Sequence, residues 1–151
     1  MGSERHPVLV PPGEGRVFLG DLTCRVSSAS TSGGYCAFEF VTQPGDGVPL
    51  HVHSREDEVY YILEGTFEIR CGDRFFTAAA GAMAVLPRTI PHAFRNAGQT
   101  PSRALTIFIP GGFDAFVQEL AEMSPADAAD ETKRNAIRRK HGIQMLEESV
   151  V

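Results

Sequence analysis

The sequence lacks long hydrophobic runs and an excess of positive charge, and each absence excludes a class of protein. No apolar stretch approaches the roughly 20 residues that a membrane-spanning helix needs. The formal net charge is −5, and no run of lysine and arginine with interleaved aromatic residues is present. The chain therefore lacks the basic surface that is typical of nucleic-acid-binding proteins. We expect neither a membrane nor a nucleic acid as a partner.

Cysteine is also scarce. The three cysteines, Cys24, Cys36 and Cys71, are an odd and widely spaced set, which disfavours a disulfide framework. The first ten residues are polar, contain a proline and lack the apolar core of a signal peptide. We therefore expect reduced thiols and a cytoplasmic location.

Turn-forming residues, in contrast, are abundant. Fifteen glycines and ten prolines indicate many short turns, as an all-β barrel requires. Roughly ten short strand-like segments lie between residues 16 and 109 with no helical pattern between them, which favours a sandwich or barrel over a βαβ fold. No internal repeat is visible, so we expect one barrel unit. The small-residue segment Ser27–Gly34 predicts a mobile loop, either a plain connector or a lid over the barrel mouth.

The last third of the chain has a helical period. Apolar residues from Phe113 to Met123 recur at i, i+3, i+4, i+7 and i+10, which predicts an amphipathic helix packed on the barrel. Ser124 has the form of a helix cap, and a second helix is predicted from about Glu131 to His141, ending at Gly142. The basic residues near its end are interpreted as stabilising the helix terminus. We predict a barrel over residues 1–110 and two helices over residues 111–151, as an extension of the same domain.

Histidine and glutamate residues form the most informative pattern. His51 and His53 are two residues apart and therefore point to the same face of a strand. Glu58 opens a second strand after a short polar turn, which can bring its carboxylate back beside the histidine pair. Imidazole and carboxylate ligands suit Fe, Mn, Ni, Cu, Co or Zn. The combination with a third histidine, His92, predicts a binding site for one divalent transition metal ion.

The two blocks that contain these residues resemble the motifs of the cupin superfamily. The first block has the family spacing of two histidines, a glutamate and flanking glycines, and the second block has its spacing of glycine, proline, histidine and asparagine. The matching positions are Gly45, His51, His53, Glu58 and Gly65, then Gly81, Pro87, His92 and Asn96. The chain departs from the pattern at Thr89, where the family usually has glycine. The resemblance implies a double-stranded β-helix (cupin or jelly-roll barrel) in which His51, His53, Glu58 and His92 bind the metal, and it implies a homodimer.

Strand alternation also predicts the wall of a pocket beside the metal. Tyr60 and Ile62 share the face of Glu58, and Phe94 shares the face of His92. One face of the strand before the histidines also lines the cavity, and we favour its apolar set, which includes Phe38 and Phe40. No arginine or lysine falls at a predicted inward position. Such a wall suits a planar aromatic molecule, with filling of the barrel core as the alternative interpretation.

Among cupins, the chain is most similar to single-domain proteins of the quercetin 2,3-dioxygenase-like group, through the run from His51 to Glu58 and the helical tail. This resemblance implies a dioxygenase that acts, with dioxygen, on a small enolisable aromatic substrate of flavonol or polyketide type. Glu58 would bind the metal and also act as general base. Two alternatives stay open: a metal-dependent isomerase, cyclase or lyase that works through an enolate, and a cupin that binds a small molecule without turnover.

Overall fold

Two antiparallel β-sheets pack against each other in this computed structural model, which describes residues 5–147. The strands are β1 (Arg16–Phe18), β2 (Leu22–Val26), β3 (Cys36–Thr42), β4 (Gly47–His53), β5 (Asp57–Glu64), β6 (Thr66–Cys71), β7 (Arg74–Ala79), β8 (Met83–Leu86), β9 (His92–Asn96), β10 (Ser102–Ile109) and β11 (Ile143–Met145). One sheet has the order β1-β2-β3-β10-β5-β8 and the other β11-β4-β9-β6-β7. The predicted all-β barrel is confirmed.

Alternation along the strands decides which side chains fill the space between the sheets. In β10, Ser102, Ala104, Thr106 and Phe108 are buried, and the residues between them are half-buried on the outer face. In β3, Cys36 and Phe38 are fully buried, while Glu39 lies near the surface and pairs with Arg103. The inward face of β3 is thus the apolar set that the sequence favours, because burying the Glu39 carboxylate instead would carry a large desolvation cost.

Three helices follow the barrel: α1 (Phe113–Ala121), α2 (Pro125–Ala129) and α3 (Glu131–Lys140). Phe116 and Val117 of α1 are buried in one of the two apolar clusters of the core, so α1 packs on the barrel as predicted. Ser124 caps α2, its hydroxyl accepting a bond from Asp127 N at 3.1 Å. Asp130 ends α2 and caps α3, and these two caps produce a short helix beyond the two predicted. The longest helix in residues 5–147 has ten residues, and none there has the length and apolarity needed to span a membrane.

β11 is absent from the sequence prediction. Its three residues pair antiparallel with β4, with Ile143 opposite His53 and Met145 opposite His51. A three-residue strand is too short to show alternation in the sequence. It is positioned by Gly142, whose φ of 75° reverses the chain direction after α3. The second sheet therefore ends in a strand contributed by the C-terminal segment.

The Ser27–Gly34 segment is bonded to the helical segment. It contains a short 3-10 turn, Ala29–Thr31, and Ser28 is held by Asp114 of α1. The Ser28 amide donates to Asp114 Oδ2 at 2.8 Å, and its hydroxyl donates to Asp114 Oδ1 at 2.5 Å. These bonds connect the segment to the N-terminal turn of α1. The three cysteines are free, as predicted.

Thr89, the position at which the chain departs from the cupin pattern, has a left-handed backbone. Its φ is 68°, a conformation that favours glycine and is strained for a β-branched residue. The Thr89 amide donates to the carbonyl of His53 at 2.7 Å, so this turn is bonded to the strand that bears two of the predicted ligands. The physical reason for the usual glycine is therefore the backbone angle of the turn.

We expect Thr89→Gly to raise the free energy of unfolding by about 0.5–1 kcal/mol, because relief of the left-handed strain exceeds the added chain entropy of glycine. Urea unfolding followed by far-ultraviolet circular dichroism would measure the change. The control is Thr77→Gly, at an exposed β7 position with ordinary backbone angles, which should lower stability by about 0.5–1 kcal/mol. An equal loss of stability in both variants would contradict the interpretation.

Candidate metal centre

The four predicted ligands converge between the two sheets. His51 and His53 lie on β4 and His92 on the neighbouring β9, while Glu58 comes from β5 of the opposite sheet. His51 and His92 are register partners, which places their rings 4.3 Å apart. All four residues are buried, and one ligand atom from each lies within 4.8 Å of the others. The fold therefore brings together the set that the sequence predicts, and this set can bind a metal ion.

The Nδ1 atom of each imidazole faces an oxygen outside the cluster. His51 Nδ1 lies 2.8 Å from the carbonyl of Pro49, and His92 Nδ1 lies 3.4 Å from the carbonyl of Ile90. His53 Nδ1 lies 3.3 Å from a carboxylate oxygen of Glu56. Carbonyl and carboxylate oxygens only accept, so the contacts of His51 and His53 place the proton on Nδ1 and leave the lone pair on Nε2. His92 lies between two acceptors, with the Ile90 carbonyl at its Nδ1 and the Glu58 carboxylate at its Nε2.

The donor chemistry of the centre fits a cation. His92 Nε2 is 2.9 Å from Glu58 Oε2, and His53 Nε2 is 3.8 Å from the same oxygen. A bound metal ion would take the place of the proton between His92 and Glu58, and His92 would then carry its proton on Nδ1, opposite the Ile90 carbonyl. Three imidazole nitrogens and one carboxylate form a ligand set suited to a divalent transition metal.

His51 and Glu58 are in the protonation states that a metal requires. Burial, with a smaller electrostatic contribution from His92, lowers the pKa of His51 to about 4, so its ring is neutral near neutral pH. Burial acts to raise the pKa of Glu58, but the hydrogen bond from His92 and the charges of the histidines outweigh it and lower the pKa. A neutral imidazole and an ionised carboxylate are the metal-binding forms of these groups.

Thr106 is a site residue that the sequence prediction omits. Its hydroxyl donates to Glu58 Oε1 at 2.9 Å and leaves Oε2 directed at the histidines. Thr106 faces inward on β10 opposite Tyr60 of β5, so only the strand register, and not the motif spacing, places it beside Glu58. Alternation along β10 could have predicted that Thr106 faces inward, because it puts Thr106 on the same face as the buried Phe108.

A cavity of about 540 Å³ opens beside the ligands, and His51, His53 and Glu58 contribute to its wall. Of the five residues predicted to line it, three do so: Phe40, Tyr60 and Phe94. Their rings contact one another, with Phe94 5.3 Å from Phe40 and 5.5 Å from Tyr60 between centroids. The other two, Phe38 and Ile62, lie inside the two apolar core clusters and are not among the lining residues. Alternation thus predicts which residues of a strand face inward, but not which of these border the cavity and which lie in the packed core.

The opposite wall of the cavity comes from the C-terminal segment. Phe113 of α1 stacks on Phe108 at 3.8 Å between centroids and lies 6.0 Å from the His53 ring. Further residues of this segment that line the cavity are Phe116, Leu120, Arg138, Ile143 and Met145. The Ser27–Gly34 segment contributes none of the lining residues, so in this structure it is a connector.

Arg138 corrects the expectation that no arginine or lysine reaches the pocket. It lines the cavity from α3 although the sequence pattern places it in a basic helix end. Its Nη1 donates to Glu131 at 2.9 Å and to Asn135 at 2.7 Å, which orients the guanidinium along the helix. The sequence prediction considered inward positions on strands alone, and Arg138 is brought to the cavity by helix packing.

A larger groove, of about 720 Å³, lies on the outer face of the second sheet. It is open to solvent and includes none of the four ligands, and two of its three charged residues, Glu68 and Arg95, pair with each other at 2.9 Å. We assign the chemistry to the smaller cavity because that cavity contains the buried, convergent titratable groups.

The central region of the chain is similar to known proteins. Residues 38–108 match the family model of the cupin domain. Quercetin 2,3-dioxygenase from Bacillus subtilis is 32% identical over 99 residues, which are 63% of this chain and 29% of that protein. Germin-like protein subfamily 2 member 2 from Arabidopsis thaliana is 37% identical over 76 residues, which are 45% of this chain and 35% of that protein. The chain thus spans about a third of the length of these two relatives.

Solved structures share the fold. The KdgF protein from a Halomonas species superposes with a TM-score of 0.57 at 17% identity, covering 68% of this chain and 92% of that one. A predicted oxalate decarboxylase from Thermotoga maritima gives a TM-score of 0.57 at 24% identity, covering 59% and 78% respectively. At these identities the likeness shows the fold alone.

We expect His51→Ala and His92→Ala each to weaken metal binding by more than about 100-fold, a loss at least as large as those caused by outer-sphere changes at metal sites. Metal content after dialysis, measured by inductively coupled plasma mass spectrometry, would check this. The control is His141→Ala, because His141 lies outside the cluster and bonds to Glu119 at 2.7 Å. Stoichiometric metal in both ligand variants would refute the assignment.

Proposed function

We propose that the protein, whose residues 38–108 match the cupin family model, is a metal-dependent dioxygenase acting on a small enolisable aromatic compound of flavonol or polyketide type. The observation that carries the proposal is the opening of a buried cluster of three histidines and a glutamate into a cavity with aromatic walls. The partial likeness to quercetin 2,3-dioxygenase supports the reaction class. A polyketide synthase protein, CurC from Streptomyces cyaneus, is 29% identical over 63 residues and supports the polyketide alternative for the substrate.

His51, His53, Glu58 and His92 would hold one divalent metal ion, of Ni, Mn, Fe, Co, Cu or Zn. When bound, such an ion supplies Lewis acidity that lowers the pKa of a substrate hydroxyl. The remaining tasks belong to the side chains around the cavity. They must bind the aromatic ring, exclude water and accept a proton.

Glu58 is the proposed general base. Its carboxylate is ionised, borders the cavity, and has Oε1 already occupied by the Thr106 hydroxyl. The proton of a substrate hydroxyl would pass to the Glu58 carboxylate, leaving an enolate in the pocket. Burial, together with the negative charge of Glu58, raises the pKa of Tyr60 well above its ordinary value, so its hydroxyl remains a proton donor in the same wall.

The aromatic walls are proposed to orient the substrate ring. Phe40 and Phe94 face it from the barrel, and Phe113 faces it from α1. Edge-to-face and offset-stacked contacts with such rings favour a planar ligand. The apolar surroundings also limit access of water to the reactive enolate.

The second candidate is a non-oxidative isomerase, cyclase or lyase working through the same enolate. Arg138 favours it, since a cationic residue that lines the cavity could stabilise an anionic oxygen without any need for dioxygen. Glu58 would then return its proton to carbon instead of leaving the enolate to react with oxygen. Binding of a small molecule without turnover is the outcome if neither reaction is detected.

Oxygen uptake separates the first two candidates. The protein would be reconstituted separately with Fe(II), Mn(II), Ni(II), Co(II) and Cu(II) and given flavonols or simple 1,3-dicarbonyl enols in an oxygen-electrode cell. We expect uptake with at least one metal, and its loss in His92→Ala, which lacks a ligand. Substrate consumption without oxygen uptake would replace the dioxygenase by the second candidate, and no consumption with any metal bound would reject both.

We also propose that the protein is a cytoplasmic homodimer. The free cysteines suit a reducing compartment. On the outer face of the first sheet, Met83 and Val85 of β8 are each 66% exposed, and their register partners Tyr61 and Val59 lie beside them on β5. Contiguous apolar surface of this kind is typical of an interface, and a two-fold pair would bury the same patch on both copies.

We expect Val85→Lys to convert the dimer into a monomer, because a lysine at the centre of an apolar interface would be buried without a partner. Light scattering coupled to size-exclusion chromatography would measure the mass at several concentrations. The matched control is Phe75→Lys on the outer face of the other sheet, where Phe75 is 74% exposed. A monomeric wild-type protein, or dissociation by the control variant alone, would exclude this interface.

A further inference from the structure

Glu56 is a buried carboxylate that neither the motif nor the proposed reaction uses. It lies in the turn between β4 and β5 and is only 4% exposed. An ionised carboxylate is costly to bury unless it is paired or hydrogen-bonded. Its Oε2 is 3.3 Å from His53 Nδ1, on the side of the ring that faces away from the ligand cluster. The burial of Glu56 is therefore connected with His53.

The contact sets His53 apart from the other two histidines. His51 and His92 direct their Nδ1 atoms at backbone carbonyls, which are neutral acceptors. His53 alone among the three has a carboxylate facing its Nδ1 atom. A charged acceptor holds the imidazole in one tautomer and makes the opposite nitrogen a stronger donor.

The neighbouring acidic residue shows that this placement is specific. Asp57 follows Glu56 directly but points outward, where its Oδ1 accepts from the Arg88 amide at 2.9 Å and from Arg88 Nε at 3.1 Å. Its side chain is 39% exposed, whereas that of Glu56 is 5% exposed. Two consecutive carboxylates thus have different surroundings, and only the first one contacts a ligand.

We propose that Glu56 is a positioning residue of the metal centre. Its carboxylate accepts the Nδ1 proton of His53, fixes the ring with Nε2 toward Glu58 and His92, and strengthens Nε2 as a ligand. The inference rests on the metal site of the proposed function, but it does not depend on which reaction takes place there.

Metal affinity tests the proposal. Competition of Zn(II) or Co(II) between the protein and a chelator of known affinity would be measured for wild type, Glu56→Gln and Glu56→Ala. We expect Glu56→Ala to weaken binding about 10- to 100-fold, as removal of an outer-sphere partner typically does. Glu56→Gln should weaken it less, because the amide oxygen still accepts the Nδ1 proton without its charge. Asp57→Asn is the matched control and should bind as wild type does.

The tautomer of His53 is a second readout that needs neither metal nor activity. Long-range proton–nitrogen correlation spectra of the metal-free protein would show His53 protonated at Nδ1 in wild type and as a tautomer mixture in Glu56→Ala. Unchanged affinity in both Glu56 variants, or an unchanged His53 tautomer in Glu56→Ala, would overturn the proposal. A wild-type protein that binds metal but shows no turnover would reject the proposed function and leave the role of Glu56 supported.

Discussion

The crowding of four lone-pair donors between two sheets is the constraint on which the rest of this structure depends. Three imidazole nitrogens and a carboxylate oxygen lie within 4.8 Å of one another in a buried space. A bound cation would offset the cost of burying these polar groups, and the surroundings act to keep each donor in place. Pro49, Ile90 and Glu56 occupy the Nδ1 atoms of the rings, and Thr106 occupies the other oxygen of Glu58.

The two sheets have separate tasks in this arrangement. The second sheet carries all three histidines on neighbouring strands, whereas the first sheet supplies Glu58 and Thr106 from the neighbouring strands β5 and β10. The sheets are held together by the two apolar clusters on either side of the ligands. Burial of each large aromatic or aliphatic side chain in these clusters contributes about 1.5–3 kcal/mol, so the core provides the energy that keeps the donors close.

Much of this could be predicted from the sequence, because strand alternation and ligand spacing are local properties. The barrel, its inward faces and the ligand set follow from residues two apart on one strand, as with His51 and His53, and from turns marked by glycine. Contacts between distant segments could not be predicted in that way. Thr106 and Arg138 reach the site through strand register and helix packing, and β11 is too short for a pattern. The burial of Glu56 could not be predicted for a different reason, because in the sequence its position in a polar segment looks like that of the more exposed Asp57.

The pairing of β11 with β4 places the C-terminal segment directly beside the strand that carries His51 and His53. Its residues stand opposite His51 and His53, and the Ser54 amide donates to Gly142 at 2.8 Å just beyond them. Detachment of the segment would free one side of β4 and increase the entropy of both imidazoles. By thermodynamic reciprocity, an ion that orders the imidazoles must also hold the segment against the barrel. Metal binding at the centre would then slow both hydrogen exchange and proteolysis in α3 and β11.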